Sequence, residues 1–186
     1  MSSPPPVDLA TRVLELVRRA HPSAQAAVTV SREALALTRF AESFIHQNVV
    51  DETDRVQLMV HVDGRTALVE GNRTGPDELA ALVASTLAAA ALSARDEAFP
   101  GLAPAAPLLG TGGWDEVTAV ADPSARAVVV REFVDAAAGL ACAGYCQTAL
   151  VRAAFANTAG QAVQGASTEA SVSAIARTGR SDGVAR

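Results

Sequence analysis

The stretch Arg55-Val56-Gln57-Leu58-Met59-Val60-His61-Val62-Asp63-Gly64-Arg65-Thr66-Ala67-Leu68-Val69-Glu70 decides the fold class. Val56, Leu58, Val60 and Val62 point one way along an extended chain, and Arg55, Gln57, Met59 and His61 point the other, which is the period of a half-buried strand. Asp63-Gly64 is a strong signal for a two-residue hairpin turn. If Val62 faces Arg65, then Val60 faces Ala67 and Leu58 faces Val69, so apolar residues oppose each other on one face. The other face then pairs His61 with Thr66 and Gln57 with Glu70. Pattern and turn chemistry agree, and they predict an antiparallel hairpin with one buried side.

Upstream, residues 1–7 read as a flexible Pro/Ser tail. Asp8 is placed to cap a helix with Leu9, Val13, Leu16, Val17 and Ala20 on its apolar face, which His21-Pro22 stops. Strand-like alternation then runs over residues 26–30, 34–40 and 44–50 before the hairpin. Downstream, Pro76 with Asp77 and Glu78 opens a long helix, whose buried stripe is Leu79, Leu82, Val83, Thr86, Leu87 and Ala90. Residues 99–113 are Pro/Gly-rich without a period and read as a surface connector. Asp122-Pro123 caps and starts a third helix with Val129, Phe133 and Ala136 on its apolar face. Residues 145–156 and 161–177 alternate like strands about a turn at 157–160, and Thr178 to Gly183 reads as a loop. The expectation is an α+β fold, an antiparallel sheet of several strands with three main helices packed against it. Residues 8–98 and 114–186 form one domain on either side of the connector, stopping short of a C-terminal domain.

The chain has 186 residues and is 49% hydrophobic and 19% charged, which excludes global disorder and allows a core without staples. Its net charge is −5, and its positive residues are all Arg, scattered almost singly, which argues against direct nucleic-acid contact. There is no signal-peptide pattern, and the longest apolar run, Leu79 to Leu92, is too short and Ala-rich for a membrane span. The expected setting is the cytoplasm, where Cys142 and Cys146 stay reduced and buried. A disulfide or half a metal site is the alternative for them.

Catalytic signals are sparse. Gly110-Thr111-Gly112-Gly113 precedes Trp114-Asp115-Glu116 rather than a helix with Lys, so it does not read as a phosphate loop. No GxSxG elbow and no HExxH or HExxxH pair occurs. His46 and His61 lie on strands expected to be neighbours, so a two-His site with Asp51 or Glu52 is conceivable, against the plainer reading of hydrogen-bonded sheet histidines. Asp51-Glu52-Thr53-Asp54 is expected at a hairpin turn, where solvated acids are ordinary. The segment with Arg39, Phe40, Ser43, His46, Gln47 and Asn48 is denser in hydrogen-bonding groups than a plain strand pair needs. It reads either as a contact strip for a partner or a peptide added as a strand, or as the solvent-facing positions of two strands.

Leu37-Thr38-Arg39-Phe40-Ala41-Glu42-Ser43-Phe44-Ile45-His46-Gln47-Asn48-Val49 resembles the N-terminal region of the TldD/PmbA family. The Val62-Asp63-Gly64-Arg65 hairpin, the Pro76–Ser93 helix and the Phe99-Pro100-Gly101-Leu102 connector are similar in the same order. So are Trp114-Asp115-Glu116, Asp122-Pro123, the helix from Arg126 to Phe133, Ala156-Asn157-Thr158-Ala159-Gly160 and Ala170-Ser171-Val172-Ser173. The likeness is collinear from about Asp8 onward, and the polar strip resembles the PmbA (TldE) branch more than TldD.

This resemblance implies a subunit of a metalloprotease assembly that processes unfolded peptides, in a family that also includes candidate modulators of DNA gyrase. It implies a homo- or heterodimer with a TldD/TldE-like subunit and no cofactor in this chain. Zinc is expected only in a partner or related catalytic subunit, held by a HExxxH helix and a later Cys that have no counterpart here. The expectation is an N-terminal domain of a PmbA/TldE-like protein, catalytically silent by itself, with no membrane and no direct nucleic-acid contact. The competing expectation is a complete small α+β binding or adaptor module with no proteolytic role.

Overall fold

The computed structural model describes residues 4–108, 110 and 112–186. The elements in order are α1 (Pro6–Ala20), β1 (Gln25–Ala41), β2 (Phe44–Val62), β3 (Arg65–Gly71), α2 (Pro76–Leu92), α3 (Glu116–Ala119), α4 (Pro123–Ala136), β4 (Ala141–Asn157), β5 (Ala162–Arg177) and β6 (Asp182–Ala185). The strands form one six-stranded antiparallel sheet in the order β3-β2-β1-β4-β5-β6, an α+β architecture. The contacts separate into two compact units. Unit one is Met1–Arg32, Thr53–Thr111 and Arg152–Gly165, and unit two is Glu33–Glu52, Gly112–Val151 and Ala166–Arg186. The boundary therefore cuts across β1, β2, β4 and β5. Each long strand contributes a segment to each unit.

In unit one the β2–β3 hairpin has the register that the sequence predicts, with Val62 opposite Arg65, Val60 opposite Ala67 and Leu58 opposite Val69. Its turn places Asp63 at φ 51° and Gly64 at φ 71°, the left-handed pair of a type I′ turn. Val56, Leu58 and Val60 face a core shared with Val28 and Val30 of β1, Leu9, Val13 and Val17 of α1, and Leu79, Val83 and Ala90 of α2. The α2 stripe is as expected, with Leu87 only partly covered. In α1, Ala10 and Leu14 are buried, whereas Ala20 is exposed. Asp8 does not cap α1. The helix starts three residues earlier at Pro6, with Pro5 as a cap lacking a side-chain bond, and Asp8 serves the positive end of the dipole in the first turn. Of the expected tail, residues 1–3 lie outside the described residues, as do Leu109 and Thr111 of the connector.

The expected breaks in the first strands are absent. Residues 26–30 and 34–40 belong to one strand of 17 residues, and residues 44–50 and 55–62 to another of 19. Asp51 to Asp54 is mid-strand rather than a turn. Arg32 explains much of this, because its Nε donates to Asp54 Oδ1 at 2.6 Å and its Nη2 donates to Oδ2 at 3.2 Å. This two-pronged pair is half-buried, so the polar middle of the ribbon is matched across strands and need not turn.

Unit two packs α4 over Phe40, Cys142, Cys146 and Ala174, with Val130 at the centre. Asp122 caps α4 as expected, its Oδ1 accepting from the Ala125 N–H at 2.8 Å. Of the expected α4 face Phe133 is covered, but Val129 and Ala136 are not. Arg126 and Val130 are buried and Phe133, Val134 and Ala137 partly so, while Val129 and Ala136 face outward. The face is turned so that Phe133 meets Phe40, ring centroids 6.0 Å apart. Gly144 lets β4 approach β5 closely, since a Cβ there would collide with the Ser173 carbonyl oxygen and lie 2.7 Å from Ala174 Cα. The chain end expected as a loop carries β6, which pairs with β5 from Ala174–Ala185 to Arg177–Asp182.

Candidate interaction site

The tip of the β1–β2 ribbon lies in unit two and holds all six residues of the expected contact strip. The two-residue turn is Glu42-Ser43, at φ 50° and 62°, a left-handed pair without glycine or asparagine. Ser43 holds it there. Its N–H donates to the Cys142 carbonyl at 2.9 Å and its hydroxyl donates to the Leu140 carbonyl at 3.2 Å. The same hydroxyl accepts from the Cys142 N–H at 3.2 Å. Three bonds to the start of β4 thus offset the backbone strain of the turn.

The strip separates into two groups. Arg39, His46 and Gln47 are exposed, and the Arg39 Nη1 donates to the Gln47 Oε1 at 3.4 Å. Asn48 is exposed as well, and its Oδ1 accepts from the hydroxyl of the buried Thr38 at 2.6 Å. Phe40 is 2% exposed and belongs to the core, so it is not a surface contact. An aromatic next to Arg39 looks like part of a binding strip in sequence, but strand alternation turns it to the opposite face.

Behind Asn48 sits a group that the sequence reading did not pick out. Arg126 is 2% exposed. Its Nε donates to Thr38 Oγ1 at 3.1 Å, and its Nη1 donates to the Ala121 carbonyl at 3.0 Å and to Thr148 Oγ1 at 3.3 Å. No carboxylate pairs with it among the described residues. The one sequence signal was its place four residues before Val130, on what proves to be the buried side of α4. Burial raises the Cys146 thiol above its ordinary value, and the positive charge of Arg126 opposes that in part. Cys142 and Cys146 are both free thiols.

Among the described residues no group of three or more His, Cys, Asp or Glu side chains could hold a metal ion. His46 is exposed in unit two. His61 is in unit one, where its Nδ1 bonds Thr66 Oγ1 at 2.9 Å and its ring stacks on Phe99 at 3.8 Å. The two therefore do not form a site with Asp51 or Glu52.

Two surface features complete the tip. A groove of about 240 Å³ runs between Phe44 and Ile45 on β2 and Val130, Arg131 and Val134 on α4. Phe44 itself is 71% exposed. Beside it, β2 has an open edge. β3 pairs with β2 only over Val56–Val62, and the other neighbour of β2 is β1. Among the described residues no strand adjoins Phe44 to Arg55 on the β3 side. This arrangement can add a strand through backbone bonds, with an apolar socket at one end.

The tip stands on a fold with known examples. TldE from Thermococcus kodakarensis superposes with a TM-score of 0.77 over 92% of this chain at 13% identity. A candidate modulator of DNA gyrase from Bacteroides thetaiotaomicron gives 0.77 over 96% at 19% identity, and one from Thermotoga maritima gives 0.70 over 95% at 12%. This chain has the fold of part of those proteins. It spans 40% to 43% of their length. No protein-family model matches the sequence, and no curated protein matches it. No described helix is long and apolar enough to cross a membrane.

Proposed function

We propose that this chain is a domain of a TldD/PmbA-family protein on the PmbA/TldE side. It pairs with a TldD-like subunit, or with a second copy of its own kind, and is catalytically silent by itself. The reading is supported by one joint observation: the collinear resemblance from Asp8 onward and the superposition on TldE and two candidate gyrase modulators cover nearly the same residues. In this reading the zinc belongs to the partner, the substrate is an unfolded peptide in the cytoplasm, and the ribbon tip with Arg39, Ser43, His46 and Gln47 faces the partner or the peptide. The chain makes no direct contact with DNA.

Co-expression with the TldD-like subunit of the same genome tests this. A complex of defined mass, with peptidase activity that needs both chains and is lost to chelator, is the expected result. Zinc-dependent peptidase activity in the chain alone, surviving repurification, refutes silence, and two separate masses refute the pairing. Salt-dependent binding to duplex DNA overturns the reading that excludes DNA contact.

A second reading, a binding or adaptor module without a proteolytic role, is favoured by the open β2 edge. It predicts peptide binding with no subunit partner.

A further inference from the structure

Three places in the molecule hold chemistry that the fold alone does not need: the His61–Thr66–Asp96 chain, the buried Arg126 network and the open β2 edge. In the first, the Thr66 hydroxyl donates to Asp96 Oδ2 at 2.8 Å, so its oxygen accepts from His61 and the imidazole carries its proton on Nδ1. Phe99 covers that ring, and the chain ties residues 96–99 to the hairpin. In the second, every partner of Arg126 is neutral and inside the unit. Both are complete within themselves. The edge is the one with groups left to satisfy.

From the edge, the groove and the charge around them, we infer that β2 from Phe44 to Thr53 accepts an extended peptide segment that is apolar at one end and basic at the other. The inference rests on the reading of the ribbon tip as a peptide contact and names the chemistry of what it takes. Four observations carry it.

First, the edge is open over ten residues whose side chains are nearly all exposed, so a strand can lie along it without displacing anything described. Its β5 counterpart is not open in this way: at Thr168 the N–H donates to the Gly113 carbonyl at 2.7 Å and the side chain accepts from the Asp115 N–H at 2.9 Å. Second, the cluster under α4 takes in Phe40 of β1, Cys142 and Cys146 of β4 and Ala174 of β5, and it reaches β2 only at the partly buried Ile45 beside the groove.

Third, unit two is acidic. It has eleven carboxylates against six arginines, whereas unit one has nine against nine, so the whole net charge of −5 resides in unit two. On the unit-two part of the ribbon Glu33, Glu42, Asp51 and Glu52 face solvent against Arg39, while the neighbouring Arg32 and Arg55 are paired with Asp54 and Glu70. Fourth, the apolar groove lies at the Phe44 end and Asp51-Glu52 at the other. Seven residues of extended chain separate Phe44 from Asp51, about 23 Å at roughly 3.3 Å per residue. A bound segment would therefore carry an apolar side chain for the groove and, six to eight residues away, Arg or Lys for the carboxylates. Backbone pairing would tolerate many sequences, and charge would choose among them.

The test uses the 186-residue chain and three fluorescein-labelled twelve-residue peptides. One has Leu near one end and two Arg seven and eight residues on. The second has Glu in place of both Arg, and the third is the basic peptide N-methylated at alternate backbone nitrogens. In fluorescence anisotropy at low salt, the basic peptide should bind at least tenfold more tightly than the acidic one and lose at least tenfold on N-methylation. The double variant Asp51→Lys, Glu52→Lys, at exposed positions, should reverse the charge preference. Amide exchange of the bound chain should slow at residues 44–53. Equal affinity for the acidic and basic peptides overturns the charge assignment. Indifference to N-methylation overturns strand addition, and protection elsewhere overturns the location. Because this reads peptide binding on the chain alone, its failure is distinguishable from a failure to pair with a TldD-like subunit.

Discussion

Unit one and unit two are built from the same four long strands, yet they handle apolar surface in opposite ways. Unit one closes its strands under α1 and α2 around eighteen buried core residues, and among the described residues it leaves only Leu68, Leu92 and Leu108 as exposed large hydrophobics. Unit two has a core of five buried residues, and eleven exposed large hydrophobics, among them Phe44, Val50, Val117, Val120 and Val184. It also carries all the net charge. A stretch of sheet that is acidic, sparsely covered and open along one edge is suited to contact, whereas a closed neutral core is suited to hold the fold. The two units thus divide support from presentation, and substitutions can test that division.

The largest effects should come from the closed core and from the close strand approach. Leu58→Ala removes a fully buried side chain of unit one and should cost about 3 kcal/mol in denaturant unfolding. Val130→Ala, in the thinner core, should cost about half that. Equal losses would erase the difference between the two cores. Gly144→Ala forces a Cβ into the backbone of β5 and should cost about 3 kcal/mol, because the obstruction is main chain and cannot rotate away.

Next comes Arg126. Arg126→Ala should cost about 2 to 3 kcal/mol by leaving Thr148 Oγ1 and the Ala121 carbonyl without their donor. Arg126→Met leaves the same acceptors without a donor but keeps most of the side-chain volume, so it should cost about 1 kcal/mol less than Arg126→Ala. If Met is as harmful as Ala, the donated hydrogen bonds and not the packing carry the cost.

The two hairpin tips come third. Gly64→Ala should destabilise by about 1 kcal/mol, since φ 71° strains any Cβ, whereas Glu42→Asn should stabilise by about 0.5 kcal/mol by suiting the left-handed turn. The same thermal melt reads both, and a loss at Glu42→Asn would mean that the Glu42 side chain is needed.

The smallest effect is the pH response of Cys146. Burial raises this thiol in the folded state, so the neutral form is favoured there. Its contribution to stability is fully present below the unfolded thiol value of about 8.5 and is lost as pH rises toward the folded value. Cys146→Ala should flatten that alkaline decline, and alkylation of the native chain at neutral pH should be slow.

The two turns of β2 also separate what is legible in sequence from what is not. Asp63-Gly64 is a local solution. Residue type, strand alternation and register all agree within sixteen residues, and so the hairpin and its core face could be read directly. The α2 stripe and the Asp122 cap are local in the same sense. Glu42-Ser43 is not. Its left-handed pair has no glycine, and the bonds that hold it come from Leu140 and Cys142, nearly a hundred residues away. The polar middle of β1 and β2 looks like a turn until Arg32 meets Asp54. Arg126 looks like a surface residue until α4 turns it toward Thr38.

By itself, then, the sequence determined the α+β class, the register of the Asp63-Gly64 hairpin and the starts of α2 and α4. Each depends on periodicity or on a turn or cap whose partners are a few residues apart. The tertiary structure decided the length of β1 and β2, the position of their shared turn, the burial of Phe40 and Arg126, and the open edge beside an acidic surface. Those depend on partners distant in the chain, and only folding brings them within hydrogen-bonding range.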